Sequence, residues 1–285
     1  MIRLAVRVAR EDAPSALVEL LVFSPAGVEE VDIDRDAGTI EYVLYGAAGE
    51  LPSLPDLQAR VGTALVEVST SEIADDWSSR WRSFHRPVEI EGTLYVRPPW
   101  CEPAAGEGLV DLVIEPGQAF GTGSHASTRL CLELLVGLAR SGEANGPLLD
   151  LGTGSGVLAI AAAKLGFSPV TALDHERESV QAARENAAAN GVAVEVSRLD
   201  LRHDALPHAP TVTANLLRPL LLELAERLTD PPALLIASGL LTDQVDEVTR
   251  AFRDRHDLHE RARSRNGEWA AVLLERGRDG RILCR

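Results

Sequence analysis

Asp150-Leu151-Gly152-Thr153-Gly154-Ser155-Gly156 is the stretch that decides the fold. It follows a short buried strand, residues 148–151, and precedes a helix over 157–165 that Gly166 closes as C-cap. Three glycines at alternate positions let a backbone turn tightly and approach a ligand with no Cβ in the way. The helix that follows points free N–H groups and its positive dipole end into the same space. The spacing differs from the G-x-G-x-x-G of dinucleotide binders and is typical of pockets for a nucleoside-methionine cofactor. Asp174 ends the next strand, residues 170–173, where an acid can grip both hydroxyls of a ribose. The same carboxylate can also cap the helix over 176–190.

Outward from that turn, strands alternate with helices, the mark of a parallel sheet. Strands are expected at 194–198, 211–214, 233–237 and 269–274, and helices at 220–228 and 243–255. Asn215 follows the strand at 211–214. Ligands of such sheets sit beyond the carboxyl ends of the strands, so Asn215 is placed toward the pocket; the alternative is a helix N-cap. Upstream, Glu115-Pro116-Gly117-Gln118-Ala119-Phe120-Gly121-Thr122-Gly123-Ser124-His125-Ala126-Ser127-Thr128 is a donor-rich stretch with one aromatic that can close over a ligand. Read only as a loop, it would offer Ser124 as N-cap of the next helix. His125 is the one candidate proton acceptor.

The N-terminal part has a different rhythm. Residues 2–9 alternate apolar and charged side chains as a half-buried strand does. Asp12 is placed to cap a helix bearing Ala16, Leu17, Leu20 and Leu21 on one face. Strands at 28–33 and 39–45 flank a turn at Asp34-Arg35-Asp36-Ala37-Gly38, and a helix at 54–61 and a strand at 64–69 follow. This is the split βαβ, ferredoxin-like order. Trp77, Trp81 and Phe84 fall on one face of a linker helix, and short strands follow at 88–90, 94–96 and 109–114. The expected organisation is therefore α/β: a ferredoxin-like α+β domain over 1–70, a linker helix over 71–86 and a Rossmann-like domain over 87–285.

Composition limits the function classes. The 285 residues are 45% apolar and 25% charged, as in a globular chain with a sizeable core. No apolar run reaches the roughly 18 residues of a membrane span, and nothing resembles an export signal, so a cytoplasmic protein is expected. Cys101, Cys131 and Cys284 lie far apart without ligand spacing, so no metal is expected. The net charge of −15 repels phosphate backbones. Direct nucleic-acid binding is not expected, and a basic protein partner is.

These segments together resemble the PrmA family, the methyltransferases of ribosomal protein L-11. The family loop reads close to D-P-G-x-A-F-G-T-G-T-H-x-T-T, which residues 115–128 match at most positions; Glu115 stands for Asp and Ser124 for Thr. Asp150 to Gly156 matches the family's glycine motif, Asn215-Leu216-Leu217 its Asn-Leu motif, and the Trp77, Trp81, Pro87 and Pro99-Trp100 region its interdomain segment. The resemblance implies a Rossmann-like class I methyltransferase domain that uses S-adenosylmethionine and a smaller domain that recognises the substrate. It implies cofactor contacts from Thr128, Gly152, Gly154, Asp174 and Asn215, with Phe120, Gly121, Thr122 and Gly123 lining the pocket. The implied substrate is a basic protein of the large ribosomal subunit, methylated on lysine and N-terminal amines. The alternatives are a methyltransferase of the same fold for another protein or a small molecule, and a non-enzymatic nucleoside-binding module. An NAD-dependent oxidoreductase is disfavoured by the glycine spacing.

Overall fold

The computed structural model describes residues 2–21, 23, 28–31, 38–46, 51–72, 85–104, 108–116 and 123–277. Two compact units emerge, one taking in Met1–Arg86 and the other Pro87–Pro116 and Gly121–Arg285.

In the first unit, β1 (Ile2–Ala9) lies between β3 (Thr39–Gly46) and β4 (Leu65–Glu72), and β2 (Glu29–Val31) pairs with the far side of β3. Every neighbour is antiparallel, giving the order β2-β3-β1-β4. The register puts Leu4, Val6 and Val8 opposite Leu44, Tyr42 and Ile40. Two helices, α1 (Ala13–Leu21) and α2 (Leu54–Val61), bury Ala16, Leu20, Leu57 and Val61 in the same core. Alternation sends Arg3 and Arg7 to the other face, where both reach Glu41, at 2.5 and 3.2 Å. Ser53 and Asp56 close a capping box at the start of α2. Asp12 does not head α1 alone: it ends a 3-10 turn, Arg10–Asp12, that runs straight into the helix. Ser71 and Glu72 finish β4 instead of opening the linker helix. The rest of that helix, with Trp77, Trp81 and Phe84, lies outside the described residues, as does most of the turn at Asp34 to Ala37.

The second unit begins with a three-stranded sheet of β5 (Val88–Ile90), β6 (Leu94–Arg97) and β7 (Val110–Val113). A seven-stranded sheet follows, in the order β10-β9-β8-β11-β12-β14-β13. Its strands are β8 (Leu148–Leu151), β9 (Val170–Asp174), β10 (Val194–Arg198), β11 (Thr211–Asn215), β12 (Leu234–Leu241), β13 (Leu258–Asn266) and β14 (Trp269–Arg276). From β10 through β12 neighbours are parallel, and β14 is antiparallel to both of its neighbours.

The helices of this unit are α3 (Ala126–Arg140), α4 (Val157–Leu165), α5 (Arg177–Ala189), α6 (Arg218–Arg227) and α7 (Val245–His256). Buried Leu221, Leu224, Val248 and Phe252 of α6 and α7 share a core with Leu149, Val212 and Leu235 of the sheet. Each such side chain contributes about 1.5–3 kcal/mol by leaving water. Strand β13 has no counterpart in the hydrophobic pattern. Its Leu-His-Glu-Arg-Ala-Arg-Ser-Arg-Asn sequence is an edge paired through its backbone to β14 alone, and its charges guard that edge.

The chain leaves β8 toward β9 and β10, then returns to β11 on the other side of β8. That reversal opens a crevice beyond the carboxyl ends of β8, β9 and β11, the usual ligand position in an open parallel sheet. Asp174 and Asn215 are the last residues of β9 and β11.

Candidate functional site

The glycine turn leaves β8 with Gly152, Gly154 and Gly156 at φ of +69°, +54° and +85°, a region other residues avoid. The amides of Gly152 and Thr153 donate to the Leu173 carbonyl of the neighbouring strand, at 2.9 and 3.0 Å. A side chain at Gly152 would run into Leu216, and one at Gly156 would press on Ala183 of α5 at 3.1 Å. These glycines therefore answer both to backbone conformation and to close packing.

Beneath the turn lies Asp150, fully buried. Its two carboxylate oxygens each accept a hydroxyl hydrogen bond of 2.6 Å, one from Thr153 and one from Thr213 on β11. Burial raises its pKa to about 6, helped by the negative charge of Asp174. The Asp150–Thr213 bond ties the first and fourth parallel strands together across 63 positions of sequence. Sequence reading misses this pair, although a threonine at the middle of a buried central strand is its one visible signal.

Asp174 is almost wholly buried, and backbone amides hold both of its oxygens. Gly154 donates to Oδ2 at 2.9 Å and Glu176 to Oδ1 at 3.0 Å. Asp174 thus holds the turn and the residue that heads α5, but it is not the helix cap: the N-cap is Glu176, without a side-chain cap bond. A carboxylate has about four acceptor positions, so each oxygen keeps capacity for a ligand hydroxyl.

On the other side of β8, the Asn215 amide donates from Nδ2 to Thr128 Oγ1 at 3.2 Å. Asn215 does not cap α6, whose N-cap is Leu217. Among the described residues its Oδ1 is buried with no hydrogen-bond partner. An unmet buried carbonyl oxygen costs about 1–3 kcal/mol, so it marks a place where a donor belongs. Thr128 is buried in the first turn of α3. That turn is pinned to the sheet by Ser238, whose hydroxyl meets the Ser127 and Ala270 carbonyl oxygens at 3.2 and 3.0 Å.

His125 is the N-cap of α3, a role expected of Ser124. Its Nδ1 lies 2.8 Å from Ser127 Oγ and accepts from the Ser127 amide at 3.3 Å. The ring meets Trp269 edge-on at 4.7 Å, and burial lowers its pKa to about 4. A neutral imidazole fits that setting. Gly123, at φ +85°, backs onto Val96 of β6 at 2.8 Å from where a Cβ would stand. Phe120, Gly121 and Thr122 lie outside the described residues.

The crevice thus gathers Thr128, the 152–156 turn, Asp174 and Asn215 from four segments far apart in sequence. Its donor set is neutral amide, hydroxyl, backbone and one carboxylate, chemistry that suits a ribose and an amino-acid moiety. The Asn215 oxygen, unmet among the described residues, is a feature such a ligand would use. Among the described residues no three His, Cys, Asp or Glu side chains gather as metal ligands would, and no helix is long and apolar enough to cross a membrane.

The family model described as ribosomal protein L11 methyltransferase (PrmA) matches residues 30–277. The ribosomal protein L11 methyltransferase of Symbiobacterium thermophilum is 38% identical over 259 residues, covering 84% of this chain and 83% of that protein. The protein of the same name from Pelobacter propionicus is 34% identical over 254 residues, or 87% and 79% of the two chains. The crystal structure of a ribosomal protein L11 methylase from Lactobacillus delbrueckii subsp. bulgaricus superposes with a TM-score of 0.60 at 29% identity. It covers 68% of this chain and 100% of that one.

Proposed function

Because the chain belongs to the ribosomal protein L11 methyltransferase (PrmA) family, we propose that it methylates lysine and N-terminal amines of ribosomal protein L11. It is a protein methyltransferase that depends on S-adenosylmethionine, with a class I α/β domain. One observation carries the site assignment: Asp174 and Asn215 end the strands on either side of β8, so the glycine turn lies between an acid and an amide.

In this reading the Asp174 carboxylate accepts from the ribose hydroxyls, and the backbone at Gly152 and Gly154 lets the nucleoside approach closely. Asn215 Oδ1 accepts an N–H from the cofactor's amino-acid portion or from the substrate amine, and Thr128 holds the Asn215 amide in place. When bound, the cofactor supplies a methyl group already activated on a sulfonium. The protein's task is then to set a neutral amine in line with that methyl group and to exclude water.

A lysine ammonium has a pKa of about 10.4. Passing its proton to His125, whose pKa is lowered to about 4, would be uphill by roughly 9 kcal/mol. His125 therefore serves the start of α3, and the amine loses its proton to solvent before transfer. The unit Met1–Arg86 selects the protein substrate, and the net charge of −15 favours a basic protein over nucleic acid. The cytoplasm is the compartment that suits this activity.

The direct check is incubation with purified L11 and S-adenosylmethionine carrying a deuterated methyl group, followed by peptide mass spectrometry. The label is expected on lysine and N-terminal amines. L11 left unlabelled by an enzyme that binds the cofactor would refute the substrate assignment.

A further inference from the structure

Helix α5 carries Asn186, and Asn190 is its C-cap one turn on; neither belongs to a motif of the cofactor crevice. Asparagine inside a helix costs roughly 0.5 kcal/mol against alanine, so a buried one needs a tertiary reason. Asn186 is 2% exposed. Its Nδ2 donates to the Ser155 carbonyl at 2.9 Å, and its Oδ1 accepts from the Glu115 amide at 2.9 Å. Asn190 lies one turn on. Its Oδ1 accepts from the Val113 amide at 2.9 Å, and its Nδ2 donates to the Val113 carbonyl at 2.6 Å and the Asn186 carbonyl at 2.8 Å. Two side-chain amides thus do for β7 what a neighbouring strand would do, and one of them also reaches the glycine turn.

The two asparagines differ in what they hold. Asn190 touches β7 and its own helix. Asn186 bridges β7's exit to the turn that Asp174 grips one residue earlier, through Gly154. The Ser155 carbonyl shares a peptide plane with the Gly156 amide, which donates to the Thr153 carbonyl at 2.9 Å. Turning that plane loosens the bend at Thr153 and Gly154. The other end of the bridge, Glu115, is the first residue of the stretch that runs to Thr128.

We infer that Asn186 is a positioning residue for the transfer: its amide locks the glycine turn to the end of β7 and so holds the cofactor-facing backbone in its binding geometry. This rests on the functional reading above, which puts the nucleoside at the turn. A tie of this kind acts on cofactor affinity. A purely structural asparagine would lower the folded fraction, and with it kcat, while leaving KM untouched.

The test compares Asn186→Ala, Asn186→Asp and Asn190→Ala in the full chain, with L11 as substrate and S-adenosylmethionine varied. Asn186→Asp keeps an acceptor for Glu115 and, when ionised, sets an oxygen against the Ser155 carbonyl in place of the donor, so it strains the turn end of the bridge while the Glu115 end stays made. Both Asn186 variants are expected to raise the cofactor KM about tenfold, with kcat within about threefold of wild type, as fits loss of a buried hydrogen bond. Asn190→Ala is expected to leave the cofactor KM within about twofold. An unchanged KM in the Asn186 variants, or an equal rise in all three, overturns the proposal. Calorimetry of the wild type with S-adenosylmethionine tests the underlying reading separately. If that binding is absent, amide exchange over residues 152–156 still decides: faster exchange in Asn186→Asp supports the tie, and unchanged exchange removes it.

Discussion

The two sides of the glycine turn are finished to different degrees. At the end of β9, Asp174 already has a backbone amide on each oxygen, and it holds the turn and the start of α5 whether or not a ligand is present. At the end of β11, Asn215 spends its Nδ2 on Thr128 and leaves Oδ1 buried with no donor among the described residues. One side is satisfied within the fold; the other keeps an acceptor that the described residues do not meet, at a cost in stability. The contrast teaches that two buried polar residues at the ends of neighbouring strands can differ in what the fold already satisfies, and that difference is what the variants below test.

Removing the acid should have the largest consequence. Asp174→Ala is expected to weaken S-adenosylmethionine binding by about 100-fold or more, since bonds to a charged group are each worth about 1.5–3 kcal/mol. It should also lower the melting temperature of the free protein, because the Gly154 and Glu176 amides lose their acceptor. A melting temperature equal to wild type would break the claim that this side is self-supporting.

Asp150 provides the next test. Its pKa is raised to about 6 in the fold from an ordinary 3.8, so the folded state takes up a proton more readily than the unfolded chain. Stability from this group is therefore present at low pH and is lost as pH rises from near 4 through 6. Asp150→Asn removes that dependence. The stability of wild type relative to the variant should fall by about 2 kcal/mol between pH 4 and pH 7, read from denaturant unfolding at each pH. Parallel pH profiles would contradict the burial argument.

Asn215→Ala sharpens the comparison from the other side. About a tenfold loss of cofactor affinity is expected from one missing hydrogen bond, with an unliganded melting temperature equal to wild type or higher. A drop in that temperature like the one in Asp174→Ala would put Asn215 among the structural residues. The smallest effect belongs to His125→Asn. Asparagine is a good N-cap, so methylation rates should stay within about threefold of wild type and stability within about 1 kcal/mol. A collapse in kcat at unchanged cofactor affinity would restore His125 as the proton acceptor.

Much of this architecture is legible in the amino-acid sequence. Strands β5, β8 and β10 and helices α2 and α4 have the bounds that local pattern and capping residues announce. The glycine turn and Asp174 read correctly as a unit because they are close in the chain and their spacing is set by one strand-turn-helix step. Asn215 is legible as the end of a parallel strand. Long-range pairing is not: Thr213 against Asp150 and Asn186 against Glu115 lie 63 and 71 positions apart, and neither partner is unusual where it stands. Strand β13 escapes sequence reading because an edge held by backbone bonds needs no alternation of apolar residues. His125 reads as a candidate base; the structure makes it the N-cap of α3, packed edge-on against Trp269, and that setting does not show in the sequence.

The most direct measurement is calorimetric titration of S-adenosylmethionine into the full chain, beside Asp174→Ala. Saturable binding to one site in the wild type, and none within the same concentration range in the variant, is the predicted result. Heat of equal size and affinity in both proteins, or none in the wild type, would contradict a cofactor seated between Asp174 and Asn215.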